Sequence, residues 1–192
     1  MRTTTWQATV MAGMIVTAGA SAIGADRQVL VCMDSKGLVP ASAQYRATAQ
    51  ASAIFAKIGV GLTWARRSDC VDGGVEIQVV PKAPETASPS ALAHALPFGN
   101  RSQRITIFYD RVQRLVGPQE NWIPAVLGHV LAHEIGHVLL GTDGHTDTGL
   151  MEAQWTKKEV SMMQFRPLGF TPAHVDLIHE RLDHGTLSAT LR

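Results

Sequence analysis

Residues 133–137 read His-Glu-Ile-Gly-His, and a third histidine, His145, follows just past Gly144. On a helix, positions i and i+4 share a face one turn apart, so His133 and His137 can turn two imidazoles towards one metal ion. Glu134 stands beside the first of them, where its carboxylate can reach a metal-bound water. Nitrogen ligands, an open coordination position and a general base are the parts that zinc-dependent hydrolysis needs. The neighbours strengthen this reading. Val126, Leu127, Val130, Ile135, Val138 and Leu139 make the helix apolar. Two histidines and a carboxylate among them are costly to bury unless a partner such as a metal compensates.

Two histidines leave the coordination shell one protein ligand short. Gly141 is placed to end the helix, and the chain continues Thr142-Asp143-Gly144-His145-Thr146-Asp147-Thr148-Gly149-Leu150-Met151. Its glycines let it turn sharply back. His145 and Asp143 are both candidates for the third ligand. His145 is a neutral nitrogen donor and is preferred; Asp143 would add negative charge and is the alternative. Asp143 or Asp147 could instead hydrogen-bond the outer nitrogen of a ligand histidine. Glu152 and Glu159, further on, raise the rival of a glutamate ligand from a later helix.

The rest of the chain supplies one α/β domain. Strands are expected over 27–33, 62–66, 75–80 and 104–109. A helix is expected from Pro40 to about Lys57, the motif helix over about 122–140, and a last helix from Thr171 or Pro172 to about His184. Residues 81–100, rich in Pro, Ser and Ala, read as a long surface loop, and 110–121 as a linker. The order is strand, helix, three strands, motif helix, irregular segment, helix. It implies a twisted mixed sheet of about four to five strands, with the motif helix and the C-terminal helix packed against it.

The chain has 192 residues, a formal net charge of +1 and only 17% charged residues. There is no basic run or stripe, which argues against a nucleic-acid partner. Arg2, an apolar run from about Val10 to Ile23 and small residues before Ala22 and Ala25 have the layout of a secretory signal peptide. The expected division is therefore a signal peptide over 1–25 and one domain over 26–192. The product would be exported, periplasmic or extracellular, and without a stable membrane anchor once cut. In such a compartment Cys32 and Cys70 can be paired as one disulfide, a buried pair of thiols being the alternative. No Cys-x-x-Cys is present to suggest a thiolate zinc site.

The run from His133 to Met151 resembles the metzincin metalloproteases, most closely their matrixin-type members. Their pattern is His-Glu-x-x-His-x-x-Gly-x-x-His followed by a methionine turn beneath the metal. His133, Glu134 and His137 match it, and Met151, preceded by Gly149-Leu150, matches the methionine turn. The glycine and the third histidine fall later than the pattern places them, at 141 and 145, and the strict third position holds Asp143. The resemblance implies a zinc endopeptidase with Zn2+ as cofactor and a peptide or protein as substrate. Glu134 would take a proton from zinc-bound water and pass it to the leaving amine. Substrate would lie as an extended strand along a sheet edge, for which Arg104–Tyr109 is the candidate. A catalytically inactive zinc-binding or peptide-binding module of the same fold is the competing function, and a non-peptidase zinc hydrolase a further one.

Other residues receive plainer expectations. His129 shares the stripe of His133 and His137 and is expected beside the ligands or at the surface, since three ligands on one straight helix cannot converge. His174, His179 and His184 are expected to be solvated, and His94 and Tyr109 to be structural, contact with substrate or the transition state being their alternative. Trp122 and Trp155 are expected to pack the domain. The segment 153–169, with Met162, Met163 and Phe165, could wall a specificity pocket or pack the core.

Overall fold

In a computed structural model, residues 27–70, 74–96 and 103–184 are described; the expected signal peptide lies outside them. The sheet forms from β1 (Arg27–Asp34), β2 (Val60–Arg66), β3 (Val75–Val80), β4 (Ala93–Leu96) and β5 (Gln103–Phe108), in the spatial order β2-β1-β3-β5-β4. Four of these strands are parallel, and β4 alone runs antiparallel to its neighbour β5. β1 lies inside the sheet, and its residues Val29–Met33 are continuously buried, as expected of a strand covered on both faces. On β3 the pattern alternates instead, with Val75, Ile77 and Val79 buried.

Parallel neighbours need a crossover, and α1 (Ala41–Ala56) supplies it between β1 and β2. Ala47, Ala51, Ile54 and Phe55 form its buried face. The central element is α3 (Ile123–Leu140), in which every residue except Ala125 is buried. A helix apolar on all sides belongs in a core. This one is long and apolar enough to cross a membrane, yet it is covered on all sides by the protein. α2 (Tyr109–Val116), α4 (Lys157–Met162) and α5 (Pro172–Asp183) complete the domain.

Four expectations change here. The loop expected over 81–100 contains β4, a short strand of Ala-His-Ala-Leu whose composition carries little strand preference. With β4 in place, β5 lies between two strands, so the stretch 104–109 is not the sheet edge; among the described residues β4 is the edge on that side. The expected linker after β5 is helix α2, which buries Tyr109, Val112 and Val116. The irregular segment after Met151 contains α4, opened by a capping box in which Thr156 and Glu159 satisfy each other's backbone N–H. Cys32 and Cys70 are disulfide-bonded, with Cα atoms 5.7 Å apart. The bond ties β1 to the residue after a short 3-10 turn, Arg67–Asp69.

Candidate metal centre and its cleft

Helix α3 ends where it must for the site to form. Gly141 takes the left-handed conformation (φ 60°, ψ 36°) that a glycine adopts most cheaply, and its N–H bonds back to the last turn. A side chain there would run into the Arg181 guanidinium, which donates to the Leu140 carbonyl at 3.2 Å. The chain then folds back beneath the helix. The Thr142 carbonyl accepts from His137 Nδ1 at 2.9 Å, and the Leu150 carbonyl from His133 Nδ1 at 2.7 Å. Backbone bonds from Thr146 N–H to the Met151 carbonyl and from Leu150 N–H to the Gly169 carbonyl, each 2.9 Å, hold the returning loop. Met151 is buried against Gly136, where an added Cβ would lie 2.8 Å from its sulfur.

Both Nδ1 atoms face carbonyl oxygens, which can only accept. In neutral rings both Nδ1 atoms therefore carry the proton and both Nε2 atoms keep a lone pair. Those two Nε2 atoms lie 2.9 Å apart. With no proton between them, the contact is not a hydrogen bond; it is a pair of donors suited to sharing a cation. His145, exposed on the returning loop, completes the group. Its ring centroid is 5.3 Å from that of His133 and 4.8 Å from that of His137, and the ligand atoms of all three lie within 4.8 Å of one another. The donor set thus fits a tetrahedral zinc site with one position left over. Burial drives the His133 pKa down to about 4 and lowers that of His137, which keeps the rings in the neutral form a metal can use.

Glu134 lies beside this group at 7% exposure, and burial alone pushes its carboxyl pKa up to about 8. It lines a cleft of about 740 Å³ together with the three histidines. The opposite wall is Ser88 to Ala95, the loop before β4 and the strand itself; Trp155 closes the side, edge-on to His133 at 5.6 Å between centroids. Asp143 also lines the cleft but stands outside the three-histidine group. Glu159 is committed to the α4 cap, accepting from Thr156 N–H at 2.7 Å, and is not brought to the histidines. Glu152 lines the cleft rim.

Of the two places expected for His129, the surface is excluded. It is fully buried, one turn from His133, and both its nitrogens are committed: Nδ1 donates to the Ala125 carbonyl at 2.7 Å and Nε2 accepts from Leu168 N–H at 3.1 Å. Burial lowers its pKa. Two histidines of the last helix are not simply solvated either. His179 Nε2 donates to the Ile58 carbonyl at 2.6 Å, and His174 packs edge-on to Phe170. Of the residues the sequence left as structural, His94 lines the cleft from β4, and Tyr109 does not. Ala153, Gln154 and Trp155, from the segment read as a possible pocket wall, do line the cleft; the stretch 88–93 had no legible signal, because only the fold brings it to the motif.

No family model and no curated protein matches this chain. Among solved structures it is similar to archaemetzincin (amzA) from Methanopyrus kandleri, at 16% sequence identity and a TM-score of 0.50. The match covers 83% of this chain and 97% of the other. The chain has a metzincin-like fold. At that identity the likeness concerns the fold alone, and the residues of the cleft carry whatever is said of chemistry.

Proposed function

We propose that the chain is an exported zinc-dependent endopeptidase. The observation that carries this reading is the pair of Nε2 lone pairs, 2.9 Å apart and oriented by backbone carbonyls, with the ligand atom of a third histidine within 4.8 Å of them in the lining of one cleft. The similarity to an archaemetzincin is consistent with it. His133, His137 and His145 would hold the ion, with Asp143 as the alternative to His145. When bound, zinc would supply a Lewis acid that polarises a carbonyl and acidifies water.

The chain's own residues do the rest. The Leu150 and Thr142 carbonyls fix the tautomer and rotation of the two helix histidines. Glu134 would move the proton: a cation held by the histidines would favour its ionised form against the burial that favours the neutral acid, and a carboxylate oxygen then takes the proton from the attacking water and returns it to the leaving amine nitrogen. β4, the sheet edge beside the cleft, offers unpaired backbone groups to an extended peptide, which would add to the sheet as a further strand. Met151, packed against Gly136, would serve as the methionine turn. The Cys32–Cys70 bond supports export, since disulfides persist in oxidising compartments.

Two measurements test the proposal. Elemental analysis of the mature protein should give one zinc per chain, lost mainly in His145→Ala; loss mainly in Asp143→Ala would move the third ligand to aspartate. Glu134→Ala should retain zinc while peptide turnover falls by about 10²–10⁴-fold. Zinc bound by a wild-type protein that turns over no peptide would move the chain to the class of peptide-binding modules.

A further inference from the structure

The wall of the cleft facing the histidines is a weak element by itself. Residues 81–92 contain no strand or helix, and β4 behind them has only four residues. Short edge strands and irregular loops move readily unless something grips their backbone. Helix α2 does so with two consecutive side chains. Arg111 donates from Nη1 to the carbonyls of Ser88 and Ala91 and from Nη2 to that of Ala87, and its guanidinium lies over the Phe108 ring at 5.3 Å. Asp110 accepts from Ala83 N–H at 3.1 Å. Ser88 and Ala91, the two carbonyls taken by one guanidinium nitrogen, belong to residues that line the cleft, whereas Arg111 itself does not.

Resting on the peptidase reading above, we infer that Arg111 is a positioning residue for substrate. It clamps residues 87–91 so that the backbone of Ala93–Ala95 is held ready beside the cleft. A planar guanidinium spreads fixed donors over two nitrogens and so holds the three carbonyls in a set geometry; a lysine ammonium has its three donors on one freely rotating nitrogen and holds them less firmly. The consequence falls on binding, because an edge that must be ordered when peptide arrives charges that ordering against affinity. It does not fall on the histidines or on Glu134, which Arg111 does not touch.

The test uses the zinc-loaded full chain as wild type, Arg111→Ala, Arg111→Lys and, as a control on the same helix, Gln113→Ala. Two readouts are taken: amide hydrogen exchange over 87–95, and steady-state turnover of fluorescent-labelled casein. Arg111→Ala should speed exchange over 87–95 while leaving 123–140 protected. It should also raise KM about tenfold with kcat within about twofold of wild type. Arg111→Lys should recover only part of the loss, and Gln113→Ala should resemble wild type. Unchanged exchange over 87–95 in Arg111→Ala would overturn the inference, as would a fall in kcat at constant KM or full rescue by lysine. A wild-type protein without casein turnover would instead sink the peptidase reading, and the exchange data would still report separately whether Arg111 clamps the wall.

Discussion

The two halves of helix α3 treat the same side chain in opposite ways. His129 in the first half and His133 in the second are one turn apart on one stripe, both buried, and both give Nδ1 to a backbone carbonyl. They differ at the other nitrogen. The loop ahead of α5 passes close enough to His129 for Leu168 N–H to occupy Nε2. Among the described residues no amide reaches Nε2 of His133 or His137, and these two atoms face each other instead. Ligand capacity is thus decided by what the second nitrogen meets, and helical spacing only nominates the candidates.

The sharpest way to break this contrast is to delete each histidine in turn. His133→Ala should abolish stoichiometric zinc and with it all peptide turnover. His129→Ala should keep one zinc per chain and lose about 1–3 kcal/mol of stability in denaturant titration, because Leu168 N–H is left buried without a partner. If His129→Ala lost zinc while folding normally, the division between the two halves would be wrong.

A smaller effect follows from pH. Burial lowers the pKa of His129, so the folded chain keeps it neutral while the unfolded chain titrates near the ordinary value of about 6.5. Its contribution is full above that pH and is lost as pH falls below it, where the unfolded state binds the extra proton. In chelator-treated protein His129, His133 and His137 should each pull the thermal midpoint down between about pH 6.5 and pH 5, while Glu134, whose raised pKa makes the folded chain bind its proton first, opposes the fall. His129→Gln should make the decline shallower; an identical slope would remove His129 from the acid response.

The smallest effect sharpens the contrast from outside the helix. Thr156→Ala removes one half of the α4 cap and should cost about 1 kcal/mol without changing zinc content. Loss of zinc in Glu159→Gln would reopen the glutamate-ligand alternative.

How much of this was legible in the sequence depends on how local the cause is. The pairing of His133 with His137 and the stop at Gly141 follow from helix geometry and were readable. The fate of His129 was not, because its deciding partner, Leu168, is 39 residues away. Misplacing the sheet edge had one cause: without β4, the last strand in sequence looks like the last in space, and Ala-His-Ala-Leu offers no apolar alternation to reveal it. The α4 cap was readable in principle, since Thr156 and Glu159 stand at capping-box spacing, a simpler use of Glu159 than metal ligation.

The bond between Cys32 and Cys70 closes a covalent ring that contains the whole crossover helix α1 and strand β2. Closing a loop with a sequence separation of 38 is worth about 4 kcal/mol in the chain-entropy description. It also changes what damage means. A backbone cut anywhere between the two cysteines, for instance at the Gly59 turn, leaves both fragments tethered and the broken strand free to dock again. That is a form of durability separate from how tightly the chain folds.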